Sequence, residues 1–304
     1  MIMNFKAWIK AFRLRSLPLA LACIAMGSIL AVSFGNSKWE ITLLSLLTTL
    51  FLQILSNLAN DYGDAVSGVD GDKRKGPERA VQSGAITKKE MFNAIILFSL
   101  LSFLSGSLLI IIGLSSVLEY TVFFIIGILA IIAAIKYTMG KNPYGYAGLG
   151  DLSVFIFFGI VGVMGTYYLH TGSIDPLALL PAMSCSFFAV AVLNVNNIRD
   201  IESDKASGKI SIPVRIGRKS AVNYHRILLI MGVLTSLIFV FLRFHGPYQL
   251  LFLIVIPLLY KNAVAVKKFK EAHLLDPYLK HMALTTLLFV VSFGIGQMIY
   301  IFTS

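Results

Sequence analysis

The chain has 304 residues, of which 57% are hydrophobic and only 13% are charged, and its formal net charge is +11. In a typical soluble domain about a quarter of the residues are charged. Apolar runs here recur at lengths of about eighteen or more residues, enough to cross a hydrocarbon core of about 30 Å. The composition excludes an ordinary soluble protein, and the long runs exclude a β-barrel, whose strands are short and alternate. We therefore predict an all-α, polytopic membrane protein.

The apolar runs predict nine transmembrane helices in a single membrane domain that covers residues 1–304. In chain order the predicted helices occupy about 17–35, 40–59, 92–113, 117–136, 152–170, 176–196, 227–244, 248–264 and 282–302. Pro257 interrupts the pattern of the eighth. Thr87 and Glu90 have the spacing of a capping box, which predicts the start of the third helix.

The basic residues predict the orientation of these helices. Every Lys and Arg except Lys38 and Arg243 lies in the N-terminal segment or in the connections that end on the same side as it. By the positive-inside rule that side is cytoplasmic, which leaves the C-terminus outside. The basic residues are interleaved with acidic clusters, so we expect no nucleic-acid partner. A basic face suits the headgroups of a lipid bilayer and also an anionic substrate.

Two acidic segments follow apolar runs on this basic side. The segment "NLANDYGDAVSGVDGDKRKG" follows the second run, and the helical spacing of Asn57, Asp61 and Asp64 puts them on one face. The segment "NVNNIRDIESDKASGK" follows the sixth run, with Asp200 and Asp204 four residues apart. Carboxylates near a membrane are costly unless a cation compensates them. Mg²⁺ prefers oxygen ligands and completes its shell with water and phosphate, so the two segments predict a Mg²⁺ site that holds a diphosphate.

Basic and aromatic residues near these acids suit the same ligand. Arg79 lies in a compact Gly/Pro loop, Lys136 ends the fourth run, and Lys209 follows the second acidic segment. Such side chains clamp phosphate oxygens, although topology alone also places basic residues on this face. The segment "KYTMGKNPYGYAGLGDLS" contains Tyr137 and Tyr144, whose rings either anchor a helix end in the interface or line a site that attracts a carbocation.

Two other interpretations of the acids stay open. The segments are solvated helix ends without a ligand, or they serve a cation-coupled transporter. Relay carboxylates of transporters tend to lie in the middle of a span, whereas these acids gather at one end of the helices, beside Lys and Arg. Phosphate needs such basic neighbours and a transported cation does not, which favours a phosphate-containing substrate.

These segments resemble the motifs of a known family. "NLANDYGDAVSGVD" resembles the first Asp-rich motif of the UbiA superfamily of intramembrane aromatic prenyltransferases, "NNIRDIESD" is similar to the second, of D-x-x-x-D form, and "ERAVQSG" is similar to the family's Arg-containing loop. The resemblance covers essentially the whole chain. It implies nine helices around a central cavity, with both motifs at its cytoplasmic mouth. Gly68 stands where the common first motif has its last acid, and the next acid is Asp70.

The resemblance also implies an activity. Together with "YTMGKNPYGYAGLGDLS", the motifs most resemble those members that transfer a polyprenyl group from polyprenyl diphosphate to 1,4-dihydroxy-2-naphthoate. That reaction loses CO₂ and diphosphate and gives demethylmenaquinol for menaquinone biosynthesis. It implies a bacterial cytoplasmic (inner) membrane location, and no obligate protein partner is evident. An alternative within the family is another aromatic acceptor, hydroxybenzoate or homogentisate.

Residue roles follow from the same resemblance. The implied Mg²⁺ ligands are Asn60, Asp64, Asp70, Asp200 and Asp204. The implied catalytic residues are Asp64, Asp200, Asp204 and Tyr137, the last as a shield for the allylic cation. The implied substrate-binding residues are Arg79, Lys136, Lys209, Asn57, Asp61, Tyr144 and Arg13, where Arg13 or the neighbouring Arg15 would steer the acceptor carboxylate.

Overall fold

The computed structural model describes residues 5–36, 38–68 and 79–303, with side chains up to Ile299. The predicted ligand Asp70 lies outside these residues. Within them, nine helices are long and apolar enough to cross a membrane, which confirms the predicted number. They are α1 (Phe5–Ser33), α2 (Trp39–Val66), α3 (Lys88–Gly113), α4 (Val117–Lys136), α5 (Gly150–Thr171), α6 (Pro176–Arg199), α7 (Ile212–Leu242), α8 (Pro247–Lys268) and α9 (Ala272–Ile299).

Several helices are longer than the apolar runs that predict them. α1, α7 and α9 begin well before the predicted 17, 227 and 282, and α2 continues beyond 59 to Val66. The apolar pattern detects only the part of a helix that crosses the hydrocarbon core, whereas backbone hydrogen bonding continues through the polar turns on either side. The extra turns of α2 carry the first acidic segment, as its spacing predicts.

Two departures from regular helix have local causes. α8 begins as a 3₁₀ segment, Pro247–Val255, and becomes α-helical at Ile256. Pro257 therefore lies in the first turn of the α-helical part, where a missing N–H breaks no hydrogen bond. α1 is interrupted at Arg13, which has a left-handed backbone with φ 49°, and a 3₁₀ turn follows before the helix resumes at Leu17.

Helix starts and irregularities elsewhere also follow known rules. The capping box at the start of α3 is confirmed: the Thr87 N–H donates to Glu90 at 2.9 Å, and the Glu90 N–H donates to the Thr87 hydroxyl at 3.2 Å. The middle of α5 is a π-helical segment, Phe155–Met164. Segments of this kind are frequent at functional sites, and this one faces the cavity described below.

The helices pack into two groups, each around a large apolar core, and a small buried cluster that includes Ile41, Leu109 and Leu169 joins α2 and α3 to α5. The larger core is formed by α1 together with α5, α6, α7, α8 and α9, and it includes the buried rings of Phe188, Phe252, Phe289 and Phe293. The smaller core joins α2 to α3 and the start of α1, around Leu55 and Leu58. α4 contributes no fully buried side chain and presents apolar residues outward. A cavity lies between the two groups.

Candidate functional site

A cavity of about 1100 Å³ lies between the two groups of helices, lined by α1 to α6 and by α9. Most of its length is apolar, with Leu19, Ile24 and Phe123 on its wall. One end reaches Glu119, which accepts a hydrogen bond from the Tyr168 hydroxyl at 2.7 Å. The opposite end collects polar and charged side chains: Asn57, Asn60, Asp61, Asp64, Arg13, Arg79, Asn197, Arg199 and Lys209. The cavity can therefore hold an elongated molecule with an apolar tail and an anionic head.

Asp64 and Asn60 occupy the charged end on the last turns of α2. Asp64 is buried, pairs with the Arg79 guanidinium at 2.5 Å, and accepts a short hydrogen bond from the Tyr146 hydroxyl. The same guanidinium donates to the backbone carbonyl of Asn60, and the Thr138 hydroxyl donates to the Asn60 side-chain oxygen at 3.1 Å. Arg79 thus contacts the first segment at two points, through the Asp64 carboxylate and the Asn60 carbonyl.

Asp61 and Asn57 share the same buried face of α2. One carboxylate oxygen of Asp61 accepts the Ala80 N–H at 3.2 Å, while its other oxygen is buried without a hydrogen-bond partner among the described residues. The Asn57 amide donates to the Phe12 carbonyl at 2.9 Å and to the Ser16 hydroxyl at 3.1 Å. Asn57 therefore fixes the interruption of α1 next to the site, and Asp61 offers an unused acceptor.

Asp200 and Asp204 follow the end of α6. Asp200 receives two hydrogen bonds from the neighbouring Arg199, at 2.8 and 2.6 Å. Asp204 is buried and pairs with Lys209 at 3.2 Å. Burial raises the pKa of Asp204 above its usual value, and the positive charge of Lys209 opposes that rise. Of the described residues, Arg199 and Lys209 line the cavity, whereas Asp200 and Asp204 lie directly behind them.

The two acidic segments come close enough to act on the same groups. Lys209 interacts electrostatically with Asp64 as well as with Asp204. Burial raises the pKa of Tyr137 above its usual value, and the negative charges of Asp151, Asp204 and Asp64 raise it further. The structure thus brings the segments to one end of one cavity, with Lys209 and Tyr137 between them.

The connection between α4 and α5 links both segments. The Thr138 hydroxyl donates to the Ala59 carbonyl at 3.0 Å, and a Cβ on Gly63 would approach the Thr138 carbonyl oxygen to 2.6 Å. Tyr146 contacts the first segment through its hydroxyl, and its carbonyl accepts the Ile210 N–H, just beyond the second segment, at 2.8 Å. The connection therefore contacts the end of α2 and the segment that follows α6. Its close approach to α2 requires a glycine at position 63.

The two tyrosines predicted to line a site contact each other. The rings of Tyr137 and Tyr144 meet edge to face, with centroids 5.4 Å apart, and both residues line the cavity. The Tyr144 hydroxyl donates to the Ala133 carbonyl at 2.8 Å and lies 2.9 Å from the Ser153 hydroxyl. Tyr144 is therefore held in place by α4 and α5, and Tyr137 presents its ring at the charged end.

Some residues differ from the sequence-based expectation. Lys136 is exposed, and the cavity wall formed by the described residues does not include it, so its predicted contact with substrate stays a prediction. Tyr146, Arg199 and Asp276 were not assigned a role. Tyr146 lies in the aromatic segment and Arg199 lies within "NNIRD", so both had a signal in the sequence. Asp276 lies near the start of α9, outside the motifs that the sequence shows.

The oxygen-bearing side chains at the charged end are of the type that binds a hard cation such as Mg²⁺. Among the described residues no group of three or more His, Cys, Asp or Glu is arranged to hold a metal ion. Asp64, Asp200 and Asp204 each pair with Arg or Lys instead. Buried oxygens without hydrogen-bond partners line the cavity at Asp61 and Asn197, and oxygen donors are what Mg²⁺ prefers. The donor chemistry fits, provided that the carboxylates exchange their ion-pair partners.

The fold and the site together define a polytopic membrane protein with an internal cavity that is apolar along its length and charged at one end. The profile of the UbiA prenyltransferase family matches residues 20–283. The chain belongs to this family.

Relatives and solved structures agree with that assignment. The chain is 43% identical to a protein of Escherichia coli over 97% of each chain, and 45% identical to one of Haemophilus influenzae over 97% of each. Both relatives are named 1,4-dihydroxy-2-naphthoate octaprenyltransferase.

The structure of a UbiA homolog from Aeropyrum pernix has a TM-score of 0.70 at 16% identity, and the match covers 92% of this chain and 97% of that one. A UbiA homolog from Archaeoglobus fulgidus bound to GPP and Mg²⁺ has a TM-score of 0.61 at 17% identity, with coverages of 94% and 100%. At these identities the structures show the shared fold.

Proposed function

We propose that the protein transfers a polyprenyl group from a polyprenyl diphosphate to 1,4-dihydroxy-2-naphthoate, with loss of CO₂ and diphosphate, to give demethylmenaquinol. The names of two relatives at 43% and 45% identity support this acceptor. The structural observation that carries the proposal is the cavity of about 1100 Å³, apolar along most of its length, with Asp64, Arg79 and Lys209 at one end. Such a cavity matches a donor with a long apolar tail and a diphosphate head.

The chain's own residues account for most of the chemistry. Arg79, Lys209 and Arg13 offset the negative charge of the diphosphate as the C–O bond breaks, and do so more strongly in a water-poor site. The apolar wall excludes water from the allylic cation. The Tyr137 ring lines the cavity and would offer an aromatic face to that cation. The acceptor would then attack through the ring carbon that bears the carboxylate, and the bond from that carbon to the carboxylate breaks as CO₂ leaves.

We include Mg²⁺ in the proposal. The residues that would hold it are Asn60, Asp61, Asp64, Asp200 and Asp204, and when bound it would neutralise the leaving diphosphate. The unpartnered oxygen of Asp61 and the grouping of both acidic segments at one end of the cavity support this assignment. The A. fulgidus homolog bound to GPP and Mg²⁺ supports it by analogy of fold.

We further propose that the protein lies in a bacterial cytoplasmic membrane, with its N-terminus in the cytoplasm and its C-terminus outside. The charged end of the cavity lies on the side that holds nearly all Lys and Arg residues, which is the cytoplasmic side by the positive-inside rule. That side also gives a soluble, anionic acceptor direct access to the site.

The test is a mass-spectrometric assay of the purified protein in detergent, with dihydroxynaphthoate, a mixture of prenyl diphosphates and Mg²⁺. We expect a demethylmenaquinone product that disappears with EDTA and returns with excess Mg²⁺. A product formed only from hydroxybenzoate or homogentisate would replace the acceptor. Cation flux in proteoliposomes without any prenylated product would favour a transporter and refute the proposal.

Gly127→Phe is expected to shorten the preferred prenyl tail. Gly127 lies on the cavity wall in α4, and no heavy atom of the described residues outside its own helix lies within 4 Å of a Cβ placed there. A Cβ at this position therefore meets open space, and a phenyl ring attached to it would take up cavity volume that the tail uses. We expect the ratio of octaprenyl to geranyl transfer to fall about tenfold, measured in competition between the two diphosphates. Gly127→Ala is the matched control, and an unchanged ratio in the Phe variant would place the tail elsewhere.

A further inference from the structure

Four side chains of alternating charge form a continuous series of ion pairs behind the second acidic segment. Arg15, in the interruption of α1, donates to Asp276 on α9 at 2.9 Å. Arg199, at the end of α6, donates to the other oxygen of Asp276 at 2.5 Å. Arg199 also occupies both oxygens of Asp200. The series therefore runs from Arg15 through Asp276 and Arg199 to Asp200, across three helices.

Burial is uneven along this series. The side chain of Arg199 is 2% exposed and that of Asp200 13%, whereas Asp276 is 28% exposed and Arg15 39%. A guanidinium as buried as that of Arg199 requires at least one carboxylate, because an uncompensated buried charge is strongly destabilising. Asp276 is the carboxylate that stays with Arg199 if Asp200 takes another partner.

Asp200 is one of the acids expected to bind the divalent cation, yet Arg199 already occupies both of its oxygens. A cation and the guanidinium would compete for the negative charge on these two oxygens. The affinity of Asp200 for the cation therefore depends on how strongly Arg199 is bound by Asp276. Arg15 in turn draws Asp276 away from Arg199, since it binds the same carboxylate.

We propose that Asp276 is a positioning residue: by competing with Asp200 for Arg199, it sets the affinity of the second acidic segment for a divalent cation. Arg15 acts in the opposite direction, because it competes with Arg199 for Asp276. This inference rests on the divalent cation of the proposed function. Asp276 itself touches neither substrate nor the reacting atoms.

The test measures binding of Mn²⁺ alone to the purified full-length protein in detergent, by the EPR signal of free Mn²⁺. Asp276→Asn is expected to weaken binding about tenfold, because Asp200 is then the only carboxylate among the described partners of Arg199. Arg15→Gln is expected to tighten binding, because Asp276 then holds Arg199 more strongly. Opposite shifts from two neighbouring variants are not expected of a merely structural role. Asp175→Asn is the matched control, since Asp175 pairs with Arg243 outside this series, and its Kd should equal that of the wild type.

A double variant tests whether Asp276 acts through Arg199. In Asp276→Asn combined with Arg199→Gln, the competing guanidinium is gone, so Mn²⁺ affinity should return towards the wild-type value. Unchanged affinity in folded Asp276→Asn would overturn the inference. If that variant does not fold, Arg15→Gln carries the test: tightening supports the inference, and no change or weakening overturns it. A wild-type protein that binds no Mn²⁺ would instead refute the metal part of the proposed function.

Discussion

Asp64→Asn is expected to lower turnover by at least about 100-fold while the protein stays folded in the membrane. Asp64 lies at the charged end of the cavity, where it meets Arg79, Tyr146 and the field of Lys209. An Asn keeps the shape of the side chain and removes its negative charge. The side chain then no longer binds a cation and no longer compensates the positive charges of the surrounding basic residues. Product formation by mass spectrometry measures the effect, and wild-type turnover in this variant would exclude Asp64 from the site.

Stability must be separated from chemistry in this variant. Removing one member of a buried ion pair leaves the other charge uncompensated, at a cost of about 3 kcal/mol in the free energy of unfolding. The double variant Asp64→Asn with Arg79→Gln removes both charges, so it should recover much of the stability, measured by thermal unfolding in detergent. Turnover should stay low in the double variant. If turnover recovered together with stability, the role of Asp64 would be structural.

Gly63→Ala is expected to lower the free energy of unfolding by about 1–3 kcal/mol and to abolish most of the activity. Gly63 lies between Asp61 and Asp64 on α2, and a Cβ there would approach the Thr138 carbonyl oxygen, carbonyl carbon and hydroxyl to 2.6, 2.7 and 2.8 Å. Two of these atoms belong to the backbone, so the whole connection between α4 and α5 would have to move. That movement would take Tyr137 and Tyr146 away from the acidic segments.

Gly127→Ala is the control for this prediction, because it is also a helical glycine but has open space around its Cβ position. Alanine has a higher helix propensity, so the control should be stabilised by up to about 1 kcal/mol. Thermal unfolding of the two variants side by side separates helix propensity from close approach. Equal stability of both variants would contradict the role assigned to Gly63.

Sequence patterns predict the helices of this protein well because the membrane makes the pattern simple. A segment that crosses the hydrocarbon core must satisfy its backbone hydrogen bonds internally and must be apolar along its whole length. The nine runs therefore predict nine helices, and the capping box at Thr87 predicts the start of α3. The helical spacing of Asn57, Asp61 and Asp64 likewise predicts their shared buried face.

The sequence also predicts that the acids gather at one end of the helices. The two motifs lie at the ends of α2 and α6, and an even number of membrane crossings separates them, so both lie on the same side. The sequence does not predict the partners of those acids. The acids were expected to face a cation together, whereas in the structure Asp64, Asp200 and Asp204 each pair with a basic side chain. An ion-pair partner depends on distance in space, which hydropathy and spacing along one helix do not contain.

Only the tertiary structure decided the contacts that join distant parts of the chain. Arg199 and Asp276 are 77 positions apart, and Tyr146 and Asp64 are 82 apart. Neither pair belongs to one helix face or one repeat, so no local period reports it. The amino-acid sequence by itself determined the membrane class, the number of helices and the chemistry at one end of them, because these follow from composition and local spacing. Packing of α1, α6 and α9 decided which carboxylates Arg15 and Arg199 bind, because burial leaves a charged group only the partners that the neighbouring helices bring to it.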